Sequence, residues 1–111
     1  MASRMMVNGK IVLDKIIMAD TYSKRLQGLL GRKGLEDKEG MMIVPCNSIH
    51  TYRMKFPIDV LFVDKDNVVL KVLRDFKPGR MGPFVLKSRY VMEAEAGSFR
   101  GIEKGDKLEF K

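Results

Sequence analysis

Cys46, His50 and Asp59 have side chains that could do chemistry: a thiol, an imidazole and a carboxylate, the parts of a nucleophilic triad. Cys46 is the only cysteine and His50 the only histidine. Their spacing does not bring them together by itself. Four residues along a regular strand is ~13 Å, beyond a hydrogen bond or a shared metal. One helical turn would put them within ~6 Å. Pro45, Asn47 and Ser48 point to a bend that would also shorten the distance.

A structural reading of the same residues is the stronger one. A lone cysteine is most often a small buried hydrophobe. A lone histidine most often makes structural hydrogen bonds. Asp59 follows Pro57-Ile58 into an apolar run, where it could accept backbone N–H groups or pair with Arg53 or Lys55. Catalysis therefore has only weak candidates, and a pocket, if present, is expected at His50 and Asp59. One cysteine and one histidine fall short of the three or four protein ligands of a zinc site, so no metal is expected. The chain has no phosphate-binding glycine loop, dinucleotide fingerprint, His-Glu-x-x-His or nucleophile elbow, and no cofactor is expected.

Charge offers a second possible site. The net charge is +7, and from Lys71 to Tyr90 the basic residues Lys71, Arg74, Lys77, Arg80, Lys87 and Arg89 face one acid, Asp75. A solvated surface accounts for this most simply. The functional alternative is a binding patch at Arg74, Lys77, Arg80, Lys87 and Arg89 for an anionic partner, nucleic acid or an acidic protein face. The interleaved aromatics Phe76, Phe84, Tyr90 and Phe99 suit a single-strand binder, but a domain this size needs them in its core.

The elements that must position these residues follow from patterning. The 111 residues suit one domain, read as a flexible segment over 1–9 and a globular domain over 10–111. Apolar residues predict a strand over 10–18, with a turn near Asp14-Lys15. Asp20 or Thr21 caps a helix whose stripe is Tyr22, Leu26, Leu29 and Leu30. Gly28 then lies inside the helix, packed closely on a strand, and Gly31 ends it. Short strands are predicted over 41–44 and 48–54, and a hairpin over 58–73 turning at Asp64–Asn67. Residues 78–83, with two prolines and two glycines, read as irregular. Strands follow over 84–86 and 107–110, and over 90–96, where Tyr90, Met92, Ala94 and Ala96 alternate with Val91, Glu93 and Glu95. The sum is an α+β, mostly β domain: a barrel-like or sandwich-like sheet of short strands covered by one main helix.

The run from Ser48 to Asp64, Ser-Ile-His-Thr-Tyr-Arg-Met-Lys-Phe-Pro-Ile-Asp-Val-Leu-Phe-Val-Asp, resembles the central signature of the domain-of-unknown-function 192 family. Gly28-Leu-Leu-Gly-Arg32, Gly40-Met-Met42, Lys77-Pro-Gly-Arg80 and Glu93-Ala-Glu-Ala-Gly97 resemble its other segments in order. The resemblance spans about residues 11–110 and implies a compact β-rich domain with one helix, found in bacteria and archaea. It brings signature positions, His50, Thr51, Met54, Pro57 and Asp59, but no activity. The lone cysteine and an N-terminus without a signal-peptide h-region make a cytoplasmic monomer the expectation. A non-catalytic binding or accessory domain is the leading function. A small enzyme using His50 and Asp59, with Cys46, and a protein–protein interaction module are the alternatives.

Overall fold

The computed structural model describes residues 3–111. Its centre is the strand β6 (Ile58–Val63), buried at every position. A strand buried on both faces loses the polar alternation of a surface strand and reads as a continuous apolar run. On one face Ile58, Val60 and Phe62 join one core; on the other Leu61 and Val63 join a second.

The other elements in chain order are β1 (Met5–Val7), β2 (Lys10–Leu13), β3 (Lys15–Ala19), α1 (Tyr22–Gln27), β4 (Glu39–Ile43), β5 (Ser48–His50), β7 (Val69–Phe76), β8 (Met81–Phe84), β9 (Tyr90–Glu95) and β10 (Leu108–Phe110). Five of the strands form a central sheet in the order β3-β4-β9-β6-β7. Its pairs are antiparallel except β3 with β4. Three strands, β10-β1-β2, form a second sheet, and β5 pairs with β8 in a third. Met5, Val7, Leu13 and Leu108 of the second sheet pack on Leu61, Met92 and Ala94 of the central one. The opposite face carries Leu29, Ile49, Met54 and Phe56 over Met41, Ile43, Val60 and Val91. The arrangement is α+β and mostly β; the sheets do not close, so the barrel option falls and the layered one holds.

Several expectations need correction. The flexible segment placed at 1–9 is ordered strand from Met5, because Met5 is fully buried and pairs with both Leu13 and Phe110; residues 1–2 lie outside the described residues. The strand over 10–18 splits at Asp14 into β2 and β3, which belong to different sheets. The irregular 78–83 segment includes β8, since Pro83 in a two-stranded edge costs no ladder hydrogen bond.

The helix differs most. Thr21 caps it, its hydroxyl accepting the Lys24 N–H at 3.2 Å. It ends after six residues and buries none of them. Gly28 is not an interior glycine but the C-cap, with φ 50°, and Gly31 has φ 85°. These two left-handed turns need glycine. They turn Leu29 into the core, whereas Tyr22 and Leu26 stand 72% and 62% exposed. The main helix therefore covers little of the sheet; the turn that follows it does.

Candidate functional site

Asp59 and His50 do not meet. Period-two alternation puts Asp59 on the same face of the central sheet as Leu61 and Val63. There its carboxylate accepts three backbone N–H groups: Asp75 at 2.9 Å, Gly97 at 3.0 Å and Phe99 at 3.0 Å. It fastens β7 to the turn after β9, and its hydrogen-bonding capacity is taken up by structure. His50 lies in β5, over the other face, exposed at a pocket rim. Its Nδ1 accepts the Tyr52 N–H at 3.3 Å, and its ring stacks on Tyr52 at 5.1 Å.

Cys46 shares the pocket with His50 but no hydrogen bond joins them. Its Sγ donates to the Ser48 carbonyl at 3.1 Å. Burial pushes the thiol pKa up, a nearby Glu93 carboxylate adds to this, and Arg25 opposes it. A catalytic thiol needs the reverse shift, towards thiolate. The nucleophilic triad is therefore not assembled.

The remaining signature positions are structural. Thr51 is fully buried; its hydroxyl donates to the Lys77 carbonyl at 2.6 Å and accepts the Arg80 N–H at 2.9 Å. It holds the proline loop 77–80 against β5. Met54 is core, and the Pro57 carbonyl accepts the Ala96 N–H at 3.2 Å.

Of the five basic candidates, two are engaged. The Arg74 guanidinium donates to the Phe99 carbonyl at 2.7 Å and to the Ile102 carbonyl. Lys77 pairs with Asp75 at 2.7 Å. Arg80, Lys87 and Arg89 are exposed, and their side chains form no ion pair among the described residues. Of the interleaved aromatics, Phe99 and Tyr90 are core as expected, but Phe84 is exposed beside Met81 and Leu86.

The site that sequence reasoning missed is Glu93. It is 3% exposed, on the face of β9 shared with Val91, and it reaches a cavity of about 350 Å³. The walls are apolar residues Leu26, Leu29, Ile43, Ile49 and Met54, with Arg25, Cys46, Ser48 and His50 adding polar groups. No donor among the described residues hydrogen-bonds the Glu93 carboxyl, and Arg25 is not within ion-pair distance. Yet no fully enclosed polar side-chain atom in the described residues lacks a partner. The Glu93 oxygens therefore keep their contact with the cavity. Burial alone pushes this carboxyl up to about 7. Its signal in the sequence was parity: Glu93 alternates with Met92 and Ala94, which reads as an outward position only if one sheet face is wet.

No group of three or more His, Cys, Asp or Glu among the described residues is arranged to hold a metal. No helix of the described residues is long and apolar enough to cross a membrane.

Comparison with known proteins agrees with the sequence resemblance. The chain belongs to the domain-of-unknown-function 192 family (DUF192, uncharacterized ACR), whose model matches residues 4–110. A protein of unknown function from Novosphingobium aromaticivorans superimposes with a TM-score of 0.82 at 25% identity, covering 96% of this chain and 83% of that one. A provisionally assigned transcription regulator from Sinorhizobium meliloti superimposes with a TM-score of 0.80 at 24% identity, covering 96% and 90%. No curated protein matches the chain significantly.

Proposed function

We propose that this domain is a non-catalytic binding module whose site is the cavity between α1, the 44–50 segment and β9. One observation carries the reading: Glu93 is buried, has no protein partner and opens into that cavity. The Glu93 oxygens meet only the contents of the cavity, so a donor bound there supplies the hydrogen bonds the protein does not. Keeping such a carboxyl inside a β-sheet makes sense where a ligand is that donor. An apolar cavity with few convergent polar groups is the ordinary form of a small-molecule site, and about 350 Å³ is at its smaller end.

The test is ligand mapping by NMR with a small-organic-molecule library, on wild type and on Ser48→Trp, which places bulk at the exposed rim. Hits should perturb Leu26, Cys46, His50 and Glu93 together and vanish in Ser48→Trp. Perturbations scattered over the surface, or unchanged by Ser48→Trp, would overturn the reading. In a melting assay, a ligand at a hundredfold its Kd adds about 2.7 kcal/mol, roughly ten degrees in a domain this size.

A second reading, a docking surface for an anionic partner, is favoured by the exposed, unpaired Arg80, Lys87 and Arg89 on a chain of net charge +7. Oligonucleotide affinity that falls steeply with salt and weakens in the triple alanine variant supports it; salt-independent or absent binding removes it. Either module is read as a monomer, and as cytoplasmic in keeping with a single cysteine that leaves no intrachain disulfide to form.

A further inference from the structure

We propose that the ligand of the Glu93 cavity is a free apolar amino acid, its ammonium taken by Glu93, its carboxylate by Arg25 and its side chain by the cavity wall. The inference rests on reading this cavity as a binding site.

Three observations converge. The first is the unpaired carboxyl of Glu93, which only a donor can satisfy; a primary ammonium offers three N–H groups and a compensating charge. The second is Arg25, half-buried on α1 and lining the same cavity. Its one hydrogen bond is long, from Nη1 to the Asp20 carbonyl at 3.4 Å, and no carboxylate of the described residues pairs with it. A guanidinium has five N–H donors, so most of the fork is free for a planar carboxylate. Arg25 and Glu93 line the same cavity and form no ion pair with each other. A single cation or a single anion would leave one of them unanswered. The third is the wall: Leu26, Leu29, Ile49 and Met54 give an aliphatic side chain apolar contact. The cavity volume of about 350 Å³ suits a molecule of amino-acid size better than an extended peptide.

The experiment is isothermal titration of the intact protein at pH 8 with leucine, methionine and phenylalanine. Two blocked forms run alongside: leucinamide, which keeps the amine and loses the carboxylate, and N-acetyl-leucine, which does the opposite. A free amino acid should bind at least tenfold tighter than either blocked form. In Arg25→Met the affinity of leucine should fall to that of leucinamide, with leucinamide itself unchanged. In Glu93→Gln leucine should lose at least tenfold, and N-acetyl-leucine should lose nothing. Circular dichroism on each variant confirms the fold, so that lost binding reports the site.

Equal affinity for leucine and both blocked forms would overturn the inference. So would leucine binding unaltered by Glu93→Gln. If neutral apolar alcohols or amides bind at Glu93 while amino acids do not, the cavity remains a binding site and the zwitterion assignment falls. If no ligand of any class perturbs the cavity, the functional reading beneath it falls as well.

Discussion

Asp59 and Glu93 are both buried carboxyl groups on adjacent strands of one sheet, 2% and 3% exposed, and they face opposite ways. On its face Asp59 accepts three backbone N–H bonds and ties β7 to the turn after β9. On the other, Glu93 accepts none and opens into a cavity. Burial is common to both and so does not mark function. What separates them is whether the protein itself supplies the partners. The Asp59 carboxylate is held by the protein's own backbone, while the Glu93 carboxyl is left without a protein partner.

Substitution should break that comparison most visibly at Asp59. Asp59→Ala leaves three N–H groups without an acceptor, and charge-assisted hydrogen bonds of this kind make a loss of about 4 kcal/mol the expectation. Chemical denaturation reads it, and a loss under about 1 kcal/mol would show that Asp59 is not the clamp described.

Glu93 should respond with the opposite sign. Burial raises the pKa of its carboxyl from the ordinary 4.5 to about 7. The folded protein therefore holds that proton more tightly than the unfolded chain. Stability should fall as pH rises from about 4.5 through about 7, in total by roughly 3 kcal/mol. The other charged or titratable groups facing the same cavity are Tyr22, Arg25, Cys46 and His50. In Glu93→Gln the decline should largely disappear, leaving that variant more stable than wild type at pH 8. Denaturation midpoints at pH 5 and pH 8 for both proteins decide it; parallel profiles would mean Glu93 is already satisfied.

A smaller effect is expected where the two faces share backbone. A Cβ added to Gly40 would lie 2.6 Å from a Leu13 methyl and 2.9 Å from the Glu93 carbonyl. Gly40→Ala should cost about 1–3 kcal/mol through overpacking, and should displace β9 enough to shift cavity resonances. The smallest effect belongs to the rim. Tyr22 and Leu26 are exposed on a helix that buries nothing, so Leu26→Ser should change stability by no more than about 0.5 kcal/mol. It should still weaken any ligand of the cavity, which a purely structural Leu26 would not do.

Several strands were legible from pattern, because alternation and turn chemistry are local. The hairpin of β6 and β7, turned at Asp64–Asn67, is one; its second strand runs on to Phe76, past the predicted 73. The strand character of β9 is another, but the burial of Glu93 was not legible there. Alternation says which residues share a face and not whether the second face is covered. The helix failed for a related reason. The spacing of Tyr22, Leu26, Leu29 and Leu30 fits one helical face, yet Gly28 and Gly31 at positive φ end the helix first.

The sequence by itself determined the family, the mostly β class, a helix cap at Asp20 or Thr21 and the scarcity of catalytic groups. Each follows from short-range pattern or from residue identity. Only the tertiary structure decided that Asp59 turns away from His50 and that Arg25 and Glu93 come to one cavity. Those two residues are far apart in the chain and are brought together by sheet order, β4 beside β9, and by the turn after α1. Spacing along a chain cannot encode that order, because strand pairing is set by how several faces bury against one another at once.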